Sequence, residues 1–138
     1  MKTIFNFLVL FAAIGCMTSC EKDDDKADAR DAYIGSFKVT EQCVYPDGTI
    51  AQDSYNITIV KSSVNDMDVV INNIINSGES VNATINSTNF TIPQQTITAY
   101  GYGVSGSGRR DGNSITFSVL VTMQGIGQVN FSCTGNKQ

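Results

Sequence analysis

The chain has 138 residues, nine lysines and arginines against thirteen aspartates and glutamates, and a formal net charge of −4. That length supports one folded domain with one core. No dense basic patch occurs, which argues against a nucleic-acid partner, and the absence of His removes the commonest general base and metal ligand.

Lys2 is followed by an apolar run from Ile4 to Ile14, broken only by Asn6, and then by Met17-Thr18-Ser19-Cys20. A basic start, a short apolar core and a small-residue cleavage site are the parts of a secretory signal peptide. A bilayer span needs roughly twenty apolar residues, so this run is too short to be one. The small residues ending in Cys20 resemble the lipobox of bacterial lipoproteins. The resemblance implies cleavage after residue 19, acylation of Cys20 and a membrane anchor.

From Glu21 to Asp31 there are six carboxylates and no apolar cluster, the composition of a solvated tether. Lys22, Asp23, Asp24 and Asp25 follow the cysteine directly. They resemble the surface-export signal of Bacteroidetes lipoproteins, which implies an outer-membrane address facing the cell exterior. The expected organisation is a signal peptide at 1–19, a lipidated cysteine and acidic tether at 20–31, and a folded domain at 32–138.

After Ala32 nearly every segment alternates apolar and polar residues, the pattern of a half-buried strand. Tyr33 to Tyr45 places Phe37, Val39, Cys43 and Tyr45 on one face. Glu41 shares that phase, and a rim position is expected because an unpaired buried carboxylate is costly. Tyr45-Pro46-Asp47-Gly48 is a turn. Further strands follow at Ser54–Lys61, around Met67, Val69 and Ile71, and around Val81, Ala83 and Ile85. Phe90 and Ile92 mark a short fifth strand that Pro93 ends or bends. Ile97 to Gly108 reads as a sixth, Arg109 to Asn113 as a polar hairpin loop, Ile115 to Met123 as a seventh, and Val129 to Cys133 as the last.

Short connections make successive strands antiparallel neighbours. The expected fold class is therefore all-β: a meander of about eight strands in a closed or nearly closed barrel, with a two-sheet sandwich as the alternative. Cys43 and Cys133 lie near the two ends of the domain in inward phase. An exported protein tends to bridge such a pair, closing a loop of about ninety residues worth roughly 4–5 kcal/mol in the chain-entropy model; two buried free thiols are the alternative. A bridge requires the first and last strands to be neighbours.

Gly35-Ser36-Phe37 on the first strand resembles the Gly-x-Trp of lipocalin-like, or calycin, domains, with Phe37 standing where the family has Trp. The resemblance implies a barrel able to hold one small apolar ligand. No lipocalin ligand residue has a counterpart in this chain.

Gly101-Tyr102-Gly103-Val104-Ser105-Gly106 matches Gly-x-Gly-x-x-Gly, but no helix follows to meet a phosphate. A tightly curved strand is expected instead. Arg109 and Arg110 read as a solvated hairpin, Asn65, Asp66 and Asp68 as a polar turn rather than a calcium site, and the sequons at Asn56, Asn82, Asn86, Asn89 and Asn130 as polar outer faces.

Three functions remain. The first is a non-catalytic binding module for a small apolar or sugar-like ligand, with Tyr55, Tyr100, Tyr102, Phe117 and Phe131 as candidate lining. The second is an interaction subunit of an outer-membrane or surface complex. An enzyme is the weakest, because no catalytic constellation assembles. No cofactor and no metal site are expected. The expected partners are the membrane, through the N-terminal lipid, and either a small molecule or a surface-complex protein.

Overall fold

The computed structural model describes residues 27–138, so the signal peptide, Cys16, Cys20 and the Lys22–Asp25 run lie outside the described residues. Eight antiparallel strands follow one another around a closed barrel: β1 (Gly35–Val44), β2 (Ile50–Lys61), β3 (Asp68–Asn72), β4 (Ser80–Asn86), β5 (Asn89–Ile97), β6 (Tyr102–Asp111), β7 (Ser114–Met123) and β8 (Gly127–Lys137). β8 pairs with β1 from Phe37↔Lys137 to Val44↔Asn130, which leaves no open edge. The sandwich alternative is thereby removed.

Alternation builds this shape directly. Phe37, Val39, Ile57, Ile59, Val69, Ile71, Val81, Ala83, Ile85, Ile115, Val119 and Val121 all point inward and are at most 2% exposed. Burying each of the larger side chains contributes roughly 1.5–3 kcal/mol, and their β-branched shapes suit a pleated surface. All five sequon asparagines are exposed on the outer face.

One end of the barrel is plugged. A short 3-10 turn at Ala29–Ala32 is capped by Asp28, whose carboxylate accepts from the Arg30 amide. Tyr33, 1% exposed, meets Phe90 edge-on at 5.9 Å and donates its hydroxyl to the Ser87 carbonyl. Arg110 lies over the Tyr33 ring at 5.6 Å. The Arg30 guanidinium donates to the carbonyls of Asn65 and Asp68 and to Asp28, tying the plug to the β2–β3 loop. Arg30 and Lys61 hold the Asp28 carboxyl well below the usual carboxylate range. Ordered structure thus begins before Ala32: Asp28 to Asp31, expected to be tether, belong to the plug.

Several expected boundaries move. β2 starts four residues earlier than its alternation suggested, because Ile50 and Ala51 extend the ladder while their side chains stay exposed. β5 runs through Pro93 to Ile97. A register break between Ile92 and Gln95 leaves the proline, which has no N–H, outside the ladder. Ile97 therefore belongs to β5 rather than β6. Arg109, Arg110 and Asp111 continue β6, and the hairpin turn narrows to Gly112-Asn113.

The expected disulfide is corrected. Cys43 and Cys133 are both buried free thiols. The strands that carry them do pair, but Cys43 faces Phe131 and Cys133 faces Glu41. The two cysteines are diagonal neighbours, for which Cα separations run about 7–8 Å, too far for ordinary bridge geometry. Alkylation of the denatured, unreduced protein is therefore expected to label the Cys43 and Cys133 peptides quantitatively. A cross-linked Cys43–Cys133 peptide in the digest would refute this register. In the native state Cys133 should react slowly, since burial, together with the nearby Glu41 carboxyl, pushes its thiol up to about 12.

Candidate functional site

The end opposite the plug is open. Around it lie the β1–β2 turn, the β3–β4 connection with its short 3-10 turn at Ile74–Asn76, the β5–β6 turn and the β7–β8 turn. Between them is a cavity of about 440 Å³. Its walls come from the mouth side of the barrel: Tyr45 just past the end of β1, Ile97 on β5, Tyr102 on β6, Met123 on β7 and Phe131 on β8.

The loops lean over this opening. The Tyr100 ring stacks on Tyr102 at 5.6 Å and 21°, and its hydroxyl donates to the Ser77 carbonyl. Asn76 Nδ2 donates to Asp53 Oδ2 at 2.8 Å, joining the β3–β4 connection to β2 across the mouth. The backbone there is strained: Asn73, Ile75 and Asn76 have φ of 61°, 46° and 53°. A β-branched residue such as Ile75 adopts this left-handed region rarely, at a cost of about 1–3 kcal/mol for such a conformation. Ile75 packs its side chain against the core from this position.

Glu41 lies at the base of the cavity. It is 6% exposed, against the expectation of a rim position. The inward phase of β1 carries it into the barrel, where Tyr55 donates its hydroxyl to Oε2 and the Cys133 thiol approaches the same oxygen at 3.8 Å. Asp53 is its direct cross-strand partner on β2 and Cys133 its partner on β8. Burial raises the Glu41 pKa and the Asp53 charge raises it further, while the Tyr55 and Cys133 hydrogen bonds oppose the shift. Burial and the hydrogen bond to Glu41 also raise the Tyr55 phenol.

A pH dependence follows. A carboxyl with a raised folded pKa binds more protons in the native state than in the unfolded one. Its contribution is full below the unfolded value, near the ordinary 4.5, and is lost as pH rises through the folded value. Glu41→Gln keeps an acceptor for Tyr55 and cannot ionise. It is expected to flatten the fall in stability above pH 4.5 and to raise neutral-pH stability by about 1 kcal/mol, the low end for relieving an ill-satisfied buried group. Urea unfolding of both proteins at several pH values reads this out. Parallel pH profiles would show that Glu41 is not ionising inside the barrel.

The sequence-derived lining residues divide. Tyr100, Tyr102 and Phe131 line the mouth. Tyr55 and Phe117, 8% and 5% exposed, do not: Tyr55 sits beside Glu41 below the cavity, and Phe117 packs on Phe90 at 6.0 Å in the core. Tyr45 and Met123 were recoverable, since each ends a strand in inward phase. Ile75 and Asn76 were not, because they lie in a connection with no periodic signal.

A second concavity, of about 540 Å³, is lined mostly by outward polar residues such as Gln42, Gln52, Ser107, Ser118 and Ser132, and it also touches Glu41, Phe117 and Cys133. It presents hydroxyls and amides without an exposed aromatic plane. Gly101 to Gly106, the glycine-rich stretch, spans the β5–β6 turn and the start of β6 with no following helix, so it makes no phosphate cradle.

A scan against protein-family models finds no match. No curated protein matches the chain either.

Proposed function

We propose that this protein is a membrane-anchored lipoprotein of the outer membrane, displayed toward the cell exterior, whose barrel is a non-catalytic binding module for a small apolar or sugar-like ligand. The observation that carries the binding reading is the cavity of about 440 Å³ at one end of a barrel whose interior otherwise holds a buried apolar cluster. Aromatic and apolar walls with a few polar groups are the usual lining of a small-ligand site. The anchoring reading rests on Cys20 and the Lys22–Asp25 run. The likeness to calycin domains is supported by the eight-stranded up-and-down order and by Gly35-Ser36-Phe37 at the start of β1.

Catalysis has little to work with. Cys133 and Tyr55 are the nucleophiles nearest the carboxyl, and both are held protonated at neutral pH by burial and by Glu41.

One observation favours a second reading, that of a subunit docking on a surface complex. Val44 and Ile50 are cross-strand neighbours on the outer face near the mouth, 51% and 59% exposed, and Ile126 on the adjacent β7–β8 turn is 55% exposed. Such a patch suits a protein contact.

Native mass spectrometry of the full lipoprotein, gently extracted from its own cells, separates the two. The expected spectrum shows the acylated chain with extra mass of a few hundred daltons. A bare acylated monomer would overturn a tightly held ligand, and a stoichiometric co-purifying protein would favour the docking reading.

A further inference from the structure

Charge is distributed unevenly along the barrel axis. All six lysines and arginines among the described residues, Arg30, Lys38, Lys61, Arg109, Arg110 and Lys137, lie in the plugged half. Four of the five aspartates there, Asp28, Asp31, Asp66 and Asp68, share the plug and the β2–β3 region with Arg30 and Lys61. The open half carries Glu41, Asp47, Asp53 and Glu79 and no base.

The cavity repeats this asymmetry at close range. Glu41 and Asp53 both line it, no lysine or arginine does, and the rest of the lining is Tyr45, Tyr100, Tyr102 and other neutral residues. Glu41 and Asp53 are direct cross-strand neighbours, and like charges so placed repel. Glu41 is more than nine-tenths buried. Among the described residues both hydrogen bonds to its carboxyl land on Oε2. A carboxylate so enclosed, with a second acid beside it and no base within the site, carries negative charge that no neighbouring side chain offsets.

We propose that the mouth cavity selects small organic cations: an ammonium group carried on an aromatic or apolar body, with the ammonium at Glu41 and the body between Tyr102, Met123 and Phe131. This rests on the binding-module reading and narrows its ligand class. The ammonium donates to the Glu41 carboxylate and relieves the Glu41–Asp53 repulsion. Aromatic faces around it add attraction for a cation. The acidic half of the barrel draws cations toward the opening and repels anions before contact.

The chain has no tryptophan, so an indole probe can be followed by its own fluorescence. Tryptamine, 3-methylindole and indole-3-propionate share a ring and differ in charge. Each is titrated with the full lipoprotein in detergent, and the same detergent without protein controls for partition into micelles. The expected result is a saturable rise in tryptamine anisotropy, with 3-methylindole about tenfold or more weaker and indole-3-propionate showing no saturation. Glu41→Gln should weaken tryptamine about tenfold or more, abolishing its advantage over 3-methylindole. Asp53→Asn, at an exposed rim position, should give a smaller loss that shrinks with added salt.

Equal affinities for tryptamine and 3-methylindole, or a Glu41→Gln protein that binds tryptamine normally, would overturn the cation selectivity and leave the binding module standing. No saturable binding by any of the three overturns the inference as well. The native mass spectrum then decides whether the binding-module reading falls with it.

Discussion

Gly106→Ala is expected to cost the barrel about 3 kcal/mol, enough to lower its melting temperature by roughly 10 °C. A Cβ at this position would stand 2.3 Å from the Ser118 carbonyl oxygen and 3.3 Å from Val119 Cα. Those are backbone atoms of β7, the strand with which Gly106 pairs. A flexible side chain could swing away, whereas a ladder strand can yield only by loosening its hydrogen bonds. The same glycine faces Ile92 on β5, next to the register break at Pro93, where the wall turns sharply. Gly112→Ala is the control. Gly112 has φ of +57° with nothing within 4 Å of an added Cβ, so its cost is that of a positive φ alone, about 1 kcal/mol. Thermal melts followed by circular dichroism compare the two. Equal losses would show that β6 and β7 are not as tightly apposed as described.

Phe37→Ala should be at least as damaging, at about 3–5 kcal/mol. Phe37 is 1% exposed, it pairs with Ile57 and Lys137 across both neighbouring strands, and the Lys137 ammonium lies 5.9 Å from its ring centre. Its removal leaves a void in the sealed half of the barrel, lined by side chains already fixed on every side. Phe131→Ala makes the informative comparison. Phe131 is 7% exposed and borders the mouth cavity, so its loss enlarges a space that water already reaches. The cost there is expected to stay at or below about 3 kcal/mol, since less enclosed void remains. Urea midpoints at constant slope measure both. A Phe131 variant weaker than the Phe37 variant would mean that the mouth, not the plugged half, holds the barrel together.

Alternation of apolar and polar residues says which face of a strand a side chain occupies. It does not say how far along the barrel that side chain sits. Faces were therefore readable for Phe37, Val69, Ile85, Val119 and Phe131, whereas closure by β1 and β8 was expected through a Cys43–Cys133 bridge that the register does not make. Height depends on the stagger between strands, which leaves little mark on composition. Tyr55 and Phe117 were assigned the right face and the wrong height, and fell in the core instead of the mouth. The same stagger separated Cys43 from Cys133 by one diagonal step and put Glu41 opposite the thiol. The energetic argument that sent Glu41 to the rim counted the cost of an unpaired buried carboxylate, whereas inside the barrel the carboxyl accepts from Tyr55 and borders a cavity. Arg30 was hidden for a different reason: it lies among acidic residues that read as tether, and its anchoring carbonyls come from more than thirty positions away.

The chain enters the barrel at Asp28, beside the plug, and β8 ends at Lys137 at that same pole. Both ends of the fold are thus gathered opposite the cavity. The pole at which the chain enters the fold is therefore the one facing away from the opening. With β1 ten residues long and a rise of roughly 3.3 Å per residue, reduced by strand tilt, the opening lies about 25 Å from that pole. A label added after Lys137 would sit at that pole, clear of whatever approaches the opening from solution.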